Sequence, residues 1–121
     1  MIFSLTILGS SSALPTSKRF PTAHLLNVNE RFFLIDCGEG TQMQLRKMKI
    51  GFGKLNHIFI SHAHGDHIFG LFGLLSSFQL LGRKSSLHIH GPEELRKMID
   101  FYLLNFSGEG DYPIQFHSIG H

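Results

Sequence analysis

Residues 2–8 alternate between apolar and polar side chains and are rich in β-formers, which predicts a strand. Gly9-Ser10-Ser11-Ser12 opens a polar loop that runs through Pro15 to Pro21. Two apolar runs, 24–28 and 32–35, flank Asn29-Glu30 and read as a hairpin. Asp36-Cys37-Gly38-Glu39-Gly40 reads as a turn, after which Thr41 can cap a helix that continues to about Met48. The continuous apolar Ile58-Phe59-Ile60 within 57–61 suits a strand buried on both faces. Residues 68–81 read as an apolar helix that Gly70, Gly73 and Gly82 interrupt or end, with Phe69, Phe72 and Phe78 facing the core. A strand at 87–90 follows, then a turn in which Pro92 opens a helix. Leu95, Met98, Ile99, Tyr102 and Leu103 recur at helical spacing, and 112–119 is the last expected strand.

The order, strands first and then strand and helix in alternation, predicts a mixed α/β fold: a mixed sheet with packed helices. The 121 residues are expected to form a single unit, 1–121, with a modest core. At 42% hydrophobic and 17% charged, the chain is globular rather than disordered. The longest apolar run, 68–75, contains glycines and is too short to span a bilayer, so no membrane partner is expected. Met1 leads into Ile2-Phe3-Ser4-Leu5 without a basic segment, so no secretory signal is expected. Cys37 is the sole cysteine, which excludes an internal disulfide and a cysteine-rich zinc finger and suits a cytoplasmic location. A formal charge of +2 does not by itself argue for nucleic acid.

Nine histidines change the picture, because several fall in His62-Ala63-His64-Gly65-Asp66-His67. His62 and His64, at i and i+2 in extended backbone, point the same way and can place two imidazole nitrogens on one ion. Gly65 permits a tight turn, after which Asp66 and His67 can serve a second, adjacent ion. Nitrogen and carboxylate ligands without thiolate point first to zinc, with manganese or iron as alternatives. Such a pair of ions would hydrolyse a phosphodiester or an acyl bond, with Asp66 both a ligand and the candidate catalytic acid or base.

This constellation resembles the metallo-β-lactamase superfamily, whose hallmark is H-x-H-x-D-H after a strand. Within it, the ribonuclease Z family, endonucleases that trim the 3′ end of precursor tRNA, is the nearer match. Leu8-Gly9-Ser10-Ser11-Ser12-Ala13-Leu14-Pro15, Asp36-Cys37-Gly38-Glu39-Gly40-Thr41-Gln42 and the segment from Phe59 to Leu71 resemble it in order. His90-Gly91-Pro92 and Asp111-Tyr112-Pro113 resemble later landmarks. The resemblance implies the N-terminal half of an αββα sandwich. It implies that His62 and His64 bind one zinc and Asp66 and His67 another, with precursor tRNA as substrate. It also implies that Lys18 and Arg19 approach the RNA, for which their chemistry suits phosphate; a solvated basic loop is the other reading. Phe20 stands where that family has Asn.

The family's remaining ligands, its second catalytic histidine and its tRNA-binding arm would lie downstream of His121. The chain is therefore expected to be inactive as a nuclease alone. A half sandwich exposes an apolar face and sheet edges, so a homodimer or higher oligomer is expected. Asp36 reads either as a turn residue or as support for the metal loop through an imidazole N–H; the resemblance favours support. His88-x-His90 reads as an ordinary strand rather than a second ligand pair, and His24, His57, His117 and His121 as isolated surface residues. Cys37 reads as a small buried hydrophobe. The alternatives in function are another hydrolase of the superfamily, arylsulfatase-like or a phosphodiesterase, or a non-catalytic half-domain that oligomerises.

Overall fold

The computed structural model describes residues 3–9, 22–108 and 111–120. Lys18 and Arg19, with the loop that carries them, lie outside the described residues, as does His121. Six strands, β1 (Phe3–Gly9), β2 (Ala23–Val28), β3 (Arg31–Ile35), β4 (Leu55–Phe59), β5 (Leu87–Gly91) and β6 (Ile114–Ser118), form one sheet in chain order. The first pairings, β1 with β2 and β2 with β3, are antiparallel; β3 to β6 pair parallel. The mixed sheet expected from the alternation of elements is thus present. Asn29 and Glu30 take φ of 54° and 66°, the paired left-handed conformation of a tight hairpin, and the Asn27 side chain accepts from the Glu30 N–H at 2.8 Å.

Helices α1 (Thr41–Lys47), α2 (Gly65–Ile68), α3 (Leu71–Leu80) and α4 (Glu94–Phe106) fill the crossovers between the parallel strands. Such crossovers are right-handed, and here each steps in the same direction across the sheet, so all must lie on one face. The core is accordingly one-sided: Leu34, Ile58, Ile60 and Ile89 pack against Leu45 of α1, Leu71, Leu74, Leu75 and Phe78 of α3, and Leu95 and Ile99 of α4. The opposite face has no cover among the described residues, and Phe3, Leu5 and Ile7 of β1 are 67%, 55% and 63% exposed there.

Several expectations are corrected. The single helix over 68–81 is two, broken at Phe69-Gly70, because Gly70 leaves the helical ladder to donate its N–H to the Cys37 carbonyl at 2.9 Å. The break turns Phe69 outward, where it is 68% exposed, while Phe78 is buried as expected. Gly40 (φ 88°), not Thr41, occupies the N-cap position of α1; Thr41 Oγ1 instead donates to the Gly38 carbonyl at 2.6 Å. His57, His88 and His117 are not isolated or ordinary. His57 Nδ1 lies 3.1 Å from His90 Nε2 and His88 Nδ1 2.9 Å from His117 Nε2, with rings stacked across β4, β5 and β6.

Arg83, which no sequence motif singled out, ties the α3–β5 connection to the chain entering β4. Its guanidinium donates to the carbonyls of Phe52, Leu55, Ser85 and Ser86 and to Asn56 Oδ1, at 2.6–3.2 Å. It also lies 5.0 Å from the Phe78 ring centroid. A lysine cannot reproduce this planar fork, so Arg83→Lys is expected to cost about 2 kcal/mol in urea unfolding.

Candidate metal centre

The motif sits at the carboxyl ends of the parallel strands, where open α/β sheets place their sites. β4 ends at Phe59; Ile60, Ser61 and His62 continue past it, and α2 begins at Gly65. Asp66 and His67 therefore fall in the first turn of a short helix, and the His67 N–H bonds back to the His64 carbonyl at 2.9 Å. Gly65 has no left-handed φ, contrary to the tight-turn reading. A Cβ there would instead collide with the Phe69 ring.

Asp36 organises the cluster. It is 5% exposed, follows β3 and takes a left-handed φ of 61° that aims its carboxylate at β4. Its N–H donates to the Phe59 carbonyl at 2.6 Å. Oδ1 accepts from the Ser61 N–H at 2.8 Å, and Oδ2 accepts from Ser61 Oγ at 2.8 Å and faces His67 Nδ1 at 3.0 Å. A carboxylate that only accepts fixes the proton of a neutral His67 on Nδ1 and leaves Nε2 as a lone pair. That Nε2 lies 3.5 Å from Asp66 Oδ2. Two donors each about 2.0–2.1 Å from a tetrahedral ion stand roughly 3.4 Å apart. Ser61 Oγ, having donated to Asp36, can accept from His62 Nδ1 at 3.1 Å, which frees Nε2 of that ring too.

The structure thus brings Asp66 and His67 together and sets His62 between its neighbours, 5.7 Å from His64 and 5.1 Å from His67 by ring centroid. Among the described residues no group of three or more His, Cys, Asp or Glu side chains is arranged to hold a metal ion. The donor chemistry therefore fits a divalent transition ion as part of a ligand set, since a catalytic zinc takes about three protein ligands. A cleft of about 450 Å³ opens beside His62, lined by Ser61, Pro92, Glu93, Glu94 and Ser118 among others. Arg96 beside Glu93, its guanidinium 2.6 Å from the carboxylate, holds that carboxyl below its usual range. Cys37 is fully buried, and burial pushes its thiol up to about 12, so it is no nucleophile at neutral pH.

Ser61 is the residue that sequence reasoning missed; its place directly before the first histidine was the available signal. Asp36→Asn keeps a residue that tolerates the left-handed backbone but turns an amide N–H toward the cluster. The expected result is a ten- to hundredfold loss of zinc affinity, read by competition with a chromophoric chelator.

The model of the family described as Anti-Pycsar protein Apyc1 matches residues 3–105. The chain belongs to that family. Ribonuclease Z of Bacteroides fragilis is 53% identical over 115 residues, covering 95% of this chain and 38% of that protein. Ribonuclease Z of Porphyromonas gingivalis is 46% identical over 117 residues, 97% of this chain and 38% of that protein. The chain therefore spans about 38% of the length of these curated relatives. Among solved structures, human tRNase Z, short form, superposes with a TM-score of 0.80 at 36% identity, over 96% of this chain and 45% of that one. The metallo-β-lactamase fold protein YhfI of Bacillus subtilis matches with a TM-score of 0.76 at 19% identity, over 99% and 47%. The resemblance to ribonuclease Z and the metallo-β-lactamase fold read from H-x-H-x-D-H and DCGEGTQ both agree with these findings.

Proposed function

We propose that this chain is the N-terminal part of a longer metal-dependent endoribonuclease that removes the 3′ trailer of precursor tRNA. The observation that carries this reading is the imidazole of His67, held at Nδ1 by buried Asp36 with Nε2 turned toward Asp66. The relatives named ribonuclease Z and the tRNase Z neighbour supply the substrate class. His62 and His64 would hold one divalent ion, zinc by donor type, and Asp66 and His67 a second. Bound ions of this kind supply Lewis-acid charge to a phosphoryl group and acidify water.

The chain's own residues do the rest. Asp36 and Ser61 orient the imidazoles, and Asp66 holds or releases a proton beside the scissile phosphate. Lys18 and Arg19 would contact phosphates of the RNA. Two donors per ion bind weakly, so this chain alone is inactive in the proposal, and its longer parent acts in the cytoplasm.

Metal analysis and precursor-tRNA cleavage, run on this chain beside its full-length parent, test the reading. The expected result is cleavage by the metal-loaded parent only. Cleavage by the 121-residue chain alone would refute the fragment part of it. A second reading, a hydrolase of small phosphodiesters, is favoured by the different description borne by the matching family model. Turnover of such esters by the parent, without cleavage of precursor tRNA, would establish it instead.

A further inference from the structure

The uncovered face of the sheet divides into two chemistries. β1 to β3, with Phe59 of β4, present Phe3, Leu5, Ile7, Phe33 and Ile35, and part of this area forms an apolar trough of about 560 Å³. β4 to β6 present His57, His88, His90 and His117, whose rings stack on one another at 4.7–5.4 Å. Phe33 stacks on His57 and Phe59 on His90, joining the two halves. No strand contains Asp or Glu, and Arg31, exposed at the start of β3, is the one Lys or Arg in the six. At neutral pH this face is nearly free of charge.

Its size matters. Six strands about 4.8 Å apart and about 17 Å long give a projected face on the order of 500 Å². Side-chain relief raises the accessible area toward the roughly 800 Å² per partner of a stable interface. A contiguous apolar patch of that extent exceeds what soluble monomers ordinarily expose.

We propose that a second copy of this chain covers the face, the two sheets packing about a twofold axis, and that the imidazole rows make the pairing acid-labile. An axis running across the strands sets like on like. The apolar halves meet, ring N–H groups meet ring nitrogens, and Arg31 stays at the rim, where its long stem reaches water.

The sign of the pH dependence follows from the surroundings of the rings. His57 and His90 titrate below the ordinary 6.5, first through burial and then through neighbouring imidazoles, His88 foremost for His57 and His117 for His90. The other groups on this face are Phe33, Phe59, Gln115, His24 and Arg31, none of them a carboxylate that would stabilise an imidazolium. Docking removes more water, so the paired state binds fewer protons, and acid favours separate copies.

Sedimentation equilibrium of the 121-residue chain at pH 7.5 and 5.0 tests this. The expected result is a dimer at pH 7.5 whose dissociation constant rises at least about tenfold at pH 5.0. Leu5→Lys, at a side chain already 55% exposed, is expected to give a folded monomer at both values. The double variant His88→Gln, His90→Gln is expected to dimerise with a much weaker dependence on pH. A monomer at pH 7.5 would overturn the proposal and leave the face to a sheet outside this chain. A dimer indifferent to both acid and Leu5→Lys would overturn it as well.

Discussion

Asp66→Asn in the full-length parent is expected to lower kcat for precursor-tRNA cleavage by about a thousandfold, with KM little changed. The carboxylate is asked for two things in the proposed mechanism. It is an ion ligand beside His67 Nε2, 3.5 Å away, and it is the group that moves a proton at the reacting phosphate. Proton transfer alone contributes about 10²–10⁴-fold, and the amide can neither take up a proton nor match the carboxylate as a ligand. Metal content measured on the same sample separates the two contributions. A variant that keeps its metal and loses kcat assigns the loss to proton transfer, whereas one that loses both assigns it to ligation. Activity within threefold of the unaltered parent would remove Asp66 from the mechanism.

Gly70→Ala is expected to destabilise the 121-residue chain by about 3 kcal/mol in urea unfolding. A Cβ at Gly70 would run into the backbone carbonyl of Gly38, with the Cys37 carbonyl close behind. Neither can swing aside as a side chain would, because Gly38 N–H is bonded to the Thr22 carbonyl at 3.0 Å and Cys37 N–H to the His67 carbonyl at 2.7 Å. The close approach locks the turn that carries Asp36 to the helix that carries His67. Gly73→Ala is the control. It lies inside α3, and a Cβ there would meet only the movable end of the Gln42 side chain. The expected change is within about 1 kcal/mol, because the better helix propensity of alanine offsets the contact.

These glycines show where sequence reading stops. Gly70, Gly73 and Gly82 look alike as interruptions of an apolar helix. Their demands differ: close backbone approach at Gly70, nothing special at Gly73, and a left-handed φ of 80° at Gly82. The sheet was legible because Ile58-Phe59-Ile60 and its counterparts are short continuous apolar runs, and because Asn29-Glu30 sits where a hairpin needs a turn. The metal motif was legible because its donors are adjacent in sequence. The network behind it was not: Ser61 reaches Asp36 across 25 positions, and His57 reaches His90 across 33. Strand register creates those contacts, and register is a property of the folded sheet. Phe69 misled for a related reason. Helical periodicity assigns it inward, but the contact of Gly70 with the Cys37 turn ends the helix at that point.

The central claim is that His62, His64, Asp66 and His67 exist to grip a pair of divalent ions. The most direct measurement is a crystal structure of the full-length parent grown with zinc or manganese, with anomalous scattering recorded at the metal edge. The account expects anomalous peaks at two positions, one bonded to His62 and His64 and the other to Asp66 and His67, with Asp36 still holding His67 Nδ1. Fully loaded crystals in which those side chains turn away from every ion would contradict it.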